Sequence, residues 1–254
     1  IGGAGAAVAW EDAAGGGAEL TGSTDNTVVT VTGSGTIAGE AKLLFDAPVL
    51  TIGNGTAEDT KLIFDGNAQD FHIGLDDSAD KLVLGLGSAL GTTTHMAFNA
   101  TGEVTKPLQP SFFAHNMNES GQSISDSTLT EIDLAVETYD IGSNFASNTF
   151  TAPVDGYYYL AGQFQTDLGS GSATACDQIG MQISSTKVNI RFFRGGGETD
   201  NYDRISAGGS AVFLMDSGET ATMNGYVDRD SGADASTTLS GTQYFCWMHG
   251  FLIC

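Results

Sequence analysis

A repeat of roughly twenty residues runs through the first part of the chain and limits what it can fold into. Gly39-Glu40-Ala41-Lys42-Leu43-Leu44-Phe45-Asp46 returns as Glu58-Asp59-Thr60-Lys61-Leu62-Ile63-Phe64-Asp65 and again as Ser78-Ala79-Asp80-Lys81-Leu82-Val83-Leu84-Gly85. Lys42, Lys61 and Lys81 thus mark steps of 19 and 20 residues. Each unit holds a short apolar strand, a Gly/Asn/Asp turn and a second strand, such as Val49-Leu50-Thr51-Ile52 or Phe71-His72-Ile73-Gly74-Leu75. Asp25-Asn26-Thr27-Val28-Val29-Thr30-Val31 reads as a degenerate leading copy. One strand pair cannot bury its apolar face alone. The repeats must therefore stack on their neighbours or on the same repeats of other chains. Residues 21–106 are expected to form a repetitive β-shaft, led by a Gly/Ala-rich linker or irregular segment over residues 1–20.

Lys106-Pro107-Leu108-Gln109-Pro110 holds two of the four prolines and marks a change of texture, so a second domain is expected over 107–254. Beyond it, aromatic and β-branched runs alternate between Gly/Asp/Ser clusters, with no helical period longer than a turn. The runs at 111–116, 128–134, 148–152, 156–166, 178–184, 187–193, 208–215, 220–227 and 241–253 read as strands of an antiparallel jelly-roll sandwich. The fold class is therefore all-β. Three connections are long (167–177, 194–207 and 228–240), and they alternate with the short turns 153–155, 184–186 and 216–219. Consecutive antiparallel strands reverse direction, so the long loops share one end of the sandwich and the short turns the other. If the loop at about 117–127 joins the long set, the chain enters at the short-turn end. That is the geometry of a stalked recognition head, with the long loops at its apex.

The chain carries 31 Asp+Glu against 9 Lys+Arg, a net charge of −22 over 254 residues. Such a surface repels phosphate backbones and anionic headgroups, which argues against nucleic acid and membranes as partners. No stretch approaches the ~20 apolar residues of a spanning helix. The first residue is Ile1 and no signal-peptide pattern follows it, so the chain is expected to begin inside a longer polypeptide. Cys246 and Cys254 are eight residues apart, about 26 Å along a strand, far beyond the ~7 Å between Cα atoms that a disulfide allows. With Cys176 they read as buried thiols of a protein folded in a reducing compartment.

Two resemblances are written in the residues. The stretch Asn148-Thr149-Phe150-Thr151-Ala152-Pro153-Val154-Asp155-Gly156-Tyr157-Tyr158-Tyr159-Leu160 is similar to the F-T-x-P-x-x-G-x-Y-x-F hairpin of complement component 1q and tumour-necrosis-factor heads. Ile205 to Leu214, Ser217-Gly218-Glu219-Thr220, and the closing Thr242-Gln243-Tyr244-Phe245-Cys246-Trp247-Met248-His249-Gly250-Phe251-Leu252-Ile253 follow in the family's order. The resemblance implies a ten-strand jelly roll that forms homotrimers, with both termini at the base and variable loops at the apex. No collagen stalk is present, which argues against a complement role. Instead Leu50 to Phe71 and Ile73 to Asp80 resemble repeats of structural and fibre proteins of marine tailed phages. Together these imply a virion protein, a tail fibre, that joins other virion proteins on its N-terminal side and binds a host cell-surface glycan or protein. The alternatives are a head fibre or capsid/tail decoration protein, and a secreted cellular adhesin.

Enzymatic chemistry is not expected. His72, His95, His115 and His249 lack metal spacing, and Gly195-Gly196-Gly197 lacks the lysine and following helix of a phosphate cradle. No catalytic residues and no cofactor are assigned, with Ca²⁺ as the one open case. Asp228-Arg229-Asp230-Ser231-Gly232-Ala233-Asp234 offers hard oxygen ligands in Asp228, Asp230 and Asp234. Leu239 stands where an EF-hand would place its Glu, so a solvated acidic loop is the competing reading. For binding, the expected apical loops gather Arg194, Asp200, Tyr202, Arg204 and Arg229, where aromatic faces and Arg/Asp forks suit sugar hydroxyls; ion pairing within the loops competes. Tyr157, Tyr158 and Tyr159 alternate faces, and Phe245 and Trp247 oppose Cys246 and Met248, so one aromatic set is expected in an interior or a trimer interface.

Overall fold

The computed structural model describes residues 19–21, 27–33, 36–46, 48–117, 121–168, 176–195, 204–238 and 243–254. All regular secondary structure among the described residues is β, so none of them forms a helix long and apolar enough to cross a membrane. The chain divides into two compact units, Ile1–Lys106 and Pro107–Cys254.

The N-terminal unit contains β1 (Glu19–Thr21), β2 (Thr27–Gly33), β3 (Thr36–Asp46), β4 (Val49–Ile52), β5 (Thr60–Phe64), β6 (Phe71–Asp76), β7 (Lys81–Leu86), β8 (Thr94–Asn99) and β9 (Val104–Thr105). The repeats become strand pairs. Lys42 lies in β3, which pairs with β4; Lys61 opens the β5–β6 hairpin; Lys81 opens β7, which pairs with β8. Strands β5 to β9 run side by side as one antiparallel meander. The second and third repeats therefore join edge to edge through the β6–β7 backbone ladder, whereas the first belongs to a separate sheet, and the faces of the meander are left to be covered by something else.

One face is covered from within. His72 and Val83 are each 2% exposed, and Nδ1 of His72 lies 2.7 Å from the Gly87 carbonyl. Lys61 Nζ donates to the Ser88 carbonyl at 2.6 Å. Gly74 and Gly85 are required here. A Cβ on Gly74 would stand 2.5 Å from the Thr60 carbonyl oxygen, and one on Gly85 2.6 Å from the His72 ring.

The C-terminal unit contains β10 (Ser111–His115), β11 (Ser123–Ile124), β12 (Thr130–Glu131), β13 (Val136–Ile141), β14 (Phe145–Ala146), β15 (Thr149–Thr151), β16 (Gly156–Asp167), β17 (Cys176–Ser185), β18 (Asn189–Gly195), β19 (Arg204–Met215), β20 (Thr220–Arg229), β21 (Ala235–Thr237) and β22 (Trp247–Leu252). One sheet has the order β13-β10-β22-β16-β19, with β21 and β11 continuing along β16. The other has the order β14-β15-β20-β17-β18, with β12 on β20. The inward residues of both sheets form one core, including Phe112, Phe150, Phe164, Ile179, Ile183, Phe213 and Met223, each at most 1% exposed. This is an antiparallel jelly-roll sandwich: the chain crosses repeatedly between the two sheets, and the first and last strands pair in the middle of one of them.

The β15–β16 connection shows why its residues are needed. Tyr158 is fully buried, and its hydroxyl donates back to the Val154 carbonyl at 2.8 Å, closing the turn. A Cβ on Gly156 would meet the Cys254 carbonyl oxygen at 2.7 Å, so only glycine admits the chain there. The β14–β15 hairpin turns on Ser147 and Asn148, both at positive φ, as a two-residue turn of matching twist requires.

Several boundaries differ from the sequence reading; β19, for one, begins at Arg204 rather than at 208, so Arg204 belongs to a strand end and not to the loop. The strand expected over 128–134 is broken. Ile132 and Leu134 do alternate inward, but only Thr130 and Glu131 join a ladder, and the Leu134 amide donates to the Asn148 side chain at 2.8 Å. Strand β13 supplies the ladder partner of β10 instead. The last strand is confined to Trp247–Leu252, and β21 forms inside the connection read as 228–240. Cys254 is exposed rather than buried, because it lies past that strand; Cys176 and Cys246 are buried as read, and all three thiols are free.

Burial pushes the Cys246 thiol up to about 11 and raises that of Cys176 as well. Alkylation of the native protein near neutral pH is accordingly expected to modify Cys254 alone, and all three cysteines after denaturation. Rapid native labelling at Cys246, followed by peptide mass spectrometry, would contradict this burial.

Candidate functional site

The alternation of β16 sorts its side chains sharply. Tyr158, Leu160 and Phe164 point into the core, while Tyr157, Tyr159 and Gln163 face outward. Register then assembles an outer face from four further strands. Tyr159 lies opposite Val212 on one side and Phe251 on the other, Tyr157 opposite Leu214, and Gln163 opposite Trp247. Phe113 lies opposite both His249 and Tyr139. The aromatic set expected in an interior or interface is thus on this surface, while Cys246 and Met248 face the core.

Phe113 is the hub of that surface. Its ring stacks at 6.0 Å from Trp247 and meets Tyr244 edge-on at 5.2 Å. Tyr159 stacks on Phe251 at 5.2 Å and lies 5.7 Å from His249. Burial lowers the pKa of His115 and His249, which favours the neutral imidazole on this face. Tyr157, Val212, Leu214 and Phe251 are between 42% and 52% exposed. Beside them, Gly208 and Ser210 leave a trough of about 370 Å³ walled by Tyr159, Gln163, Trp247 and His249. A contiguous aromatic and aliphatic face of this kind exceeds the scattered apolar residues of an ordinary soluble surface.

The second candidate site is the set of long connections. Asp167 pairs with Arg204 and Ser236, Gln178 with Gly195, and Cys176 with Arg229, so these strand ends converge. Ser184 with Asn189, Gly156 with Met215 and Thr151 with Thr220 mark the opposite end. Lys187 ties two of the tight turns there, at 2.9 Å from Asp216 and 3.0 Å from Glu219. Ser111 lies opposite Phe251, near the tight turns, so the first strand of this unit starts at the end away from the long loops. The alternation of long and short connections read from the sequence holds.

The individual loop residues fare differently. Asp200 and Tyr202 lie outside the described residues. Arg194 is exposed at the end of β18. Arg204 is exposed as well; its Nε stands 3.6 Å from Asp167 and its guanidinium 5.9 Å from the Phe245 ring. Arg229 does not present itself to a ligand. It is 8% exposed and donates to the Asp234 carbonyl at 2.8 Å and the Leu168 carbonyl at 3.1 Å, clamping two loops together.

The acidic loop is held from a neighbour that the sequence reading missed. Asp126 accepts from the Arg229 amide at 2.8 Å, while Asp234 accepts from the Asp126 amide at 3.1 Å and from Ser123 at 3.4 Å. Asp228 accepts from the Ser127 hydroxyl at 2.8 Å, and Asp230 is exposed in the turn. Asp228 and Asp234 are thus held by different groups of the 123–127 segment, while Asp230 stays exposed. Among the described residues no three His, Cys, Asp or Glu side chains converge as metal ligands. Ser-Asp-Ser-Thr at 125–128, a turn former rich in oxygen acceptors, was the available signal for Asp126.

No family model matches the chain, and no curated protein matches it. Several solved structures are similar to it. The globular domain of zebrafish complement 1qA protein is 16% identical, covering 57% of this chain and 98% of its own, at a TM-score of 0.40. Murine APRIL at pH 8.0 gives 16% identity, 57% and 99% coverage, and a TM-score of 0.41. Eiger TNF from S. frugiperda gives 12%, 57% and 94%, and 0.43.

Proposed function

We propose that the chain is a homotrimeric virion fibre protein whose C-terminal unit binds a host cell surface without catalysis. The observation that carries the trimer is the outer face built by Tyr157, Tyr159, Val212, Phe251 and Trp247, which one chain leaves open to water. Burying such a face between copies follows from the same hydrophobic driving force that builds the core. The long connections then stand in three copies at the end away from the tight turns, and multivalency sums weak single contacts into firm attachment. Exposed Arg194 and Arg204, at the ends of β18 and β19 that border a long connection, are the described residues best placed to meet a glycan or an acidic protein.

The virion setting, with the N-terminal repeats as a shaft docked to other virion proteins, rests on the repeat resemblance. A charge of −22 per chain suits an exposed, soluble particle component and opposes nucleic acid binding. Ca²⁺ is not needed for this reading.

Light scattering of the purified full chain is expected to give three chains, and the Phe251→Glu variant a lighter species that keeps its β circular dichroism. A wild-type monomer at micromolar concentration would overturn the trimer. Purified chain is expected to block adsorption of the parent phage, and an Arg194→Ala/Arg204→Ala double variant to block it much less. A wild-type chain that stays on particles yet never competes for cells would instead indicate a decoration protein.

A further inference from the structure

The meander β5–β9 is amphipathic in an unusual sense, because the chain covers its face of small and polar residues and leaves the opposite face open. Residues directly opposed in an antiparallel ladder share a face. Leu62, Ile73, Leu84 and Met96 form one such row, and Leu75, Leu82, Phe98 and Val104 the next. Phe64 and Phe71 form a third. Leu62, Phe64, Phe71, Leu82, Phe98 and Val104 are 38% to 59% exposed. On the other face, His72, Val83 and Ala97 are at most 4% exposed, and the edge strand β5 stays open there, with Ile63 at 38%.

The open face has a chemistry that narrows its occupant. None of its strand residues is Asp, Glu, Lys or Arg, whereas Lys61, Asp76 and Lys81 all sit on the covered face. Its eight large side chains from Leu62, Phe64, Phe71, Leu75, Leu82, Leu84, Phe98 and Val104 are each at least 37% exposed and contiguous, unlike the scattered apolar residues of a monomer, and a stable interface takes about 800 Å² from each partner. A surface without charge offers nothing to select a charged partner. It does suit another copy of a chain at −22, because two such chains can approach closely only where the contact itself is uncharged. The repeat places leucine and phenylalanine at matching steps, so each row meets a like row under symmetry. Ile52 of β4 lines the same depression as Leu62, Ile73, Leu75 and Leu82, with Thr60 and Lys61 also on its wall.

We propose that this face is a homotypic interface, in which the leucine–phenylalanine sides of three copies turn toward a common axis and bury one another. The number three rests on the trimer reading of the C-terminal unit; the homotypic contact rests on the meander alone. It makes the N-terminal unit an assembly element in its own right.

The test uses the full chain with Cys254→Ser, which removes the exposed thiol. Leu84→Cys, at the centre of the central strand, is expected to give a disulfide-linked dimer band on a non-reducing gel after mild oxidation of dilute protein, the third thiol of each trimer staying free. Lys61→Cys, on the covered face, is expected to stay monomeric on that gel. Leu82→Cys serves as the second reporter should Leu84→Cys not fold. Light scattering that still gives three chains while neither reporter cross-links would overturn this interface and leave the trimer reading standing. A cross-link from Lys61→Cys alone would overturn it as well. Wild-type protein that is monomeric would sink both.

Discussion

Replacing Phe112 by Ala is expected to cost the C-terminal unit about 3–5 kcal/mol of folding free energy, enough to remove much of the stability of a typical domain. Phe112 is fully buried on β10 and stacks between Phe145 at 4.8 Å and Phe150 at 4.9 Å, from the opposite sheet. Its ring also closes the space over Gly250, where a Cβ would stand 2.9 Å away. Truncation therefore leaves a void spanning both sheets that no neighbour can fill without moving a strand. Urea unfolding should show a lower midpoint at unchanged slope. Phe112→Leu should recover most of the loss. A midpoint within error of the wild type for Phe112→Ala would show that the two sheets do not meet at this ring.

The second large effect is expected at Arg229. Arg229→Met should cost about 2–4 kcal/mol, because it strips a buried guanidinium from carbonyls that water does not reach well. The donors lost serve Leu168 on one connection and Ala233 and Asp234 on the next. Hydrogen exchange is the discriminating readout: amides of residues 230–236 should lose protection more than those of β17. Arg229→Lys keeps the charge but not the fork, and should recover only part of the loss. A variant with wild-type stability and exchange that nevertheless failed to adsorb to cells would restore Arg229 to the binding surface.

Much of this architecture could be read directly from residue order, and the reasons are local. Long strands such as β16 and β20 carry a period-two pattern over ten or more residues, and turn formers bracket them, so both their existence and their direction are legible. Direction alone was enough to group the long loops at one end. The two-residue strands β11, β12 and β14 have no period to display, and their pairing is fixed by partners about a hundred residues away or by Asn148. The same limit applies at the loops. Composition marked Arg229 as a cation in an acidic loop, but its burial depends on Leu168 and Asp126, which only the fold brings beside it. Apolar faces are legible as patterns, whereas which of them the chain itself covers is decided by a connection such as that over His72.

The placement of β22 has a consequence for how the protein is made. It lies between β10 and β16, in the middle of its sheet, and Gln109 donates to the Leu252 carbonyl 143 positions further on. During synthesis β10 and β16 emerge long before the strand that joins them exists. Until residues 247–252 leave the ribosome, β10 and β16 each lack the ladder partner on the side where they face one another, and the growing chain carries an open slot that a passing strand could occupy. Folding of this unit is therefore tied to completion of its last strand. A ribosome stalled anywhere in the preceding loops would hold a sticky, unfinished sheet.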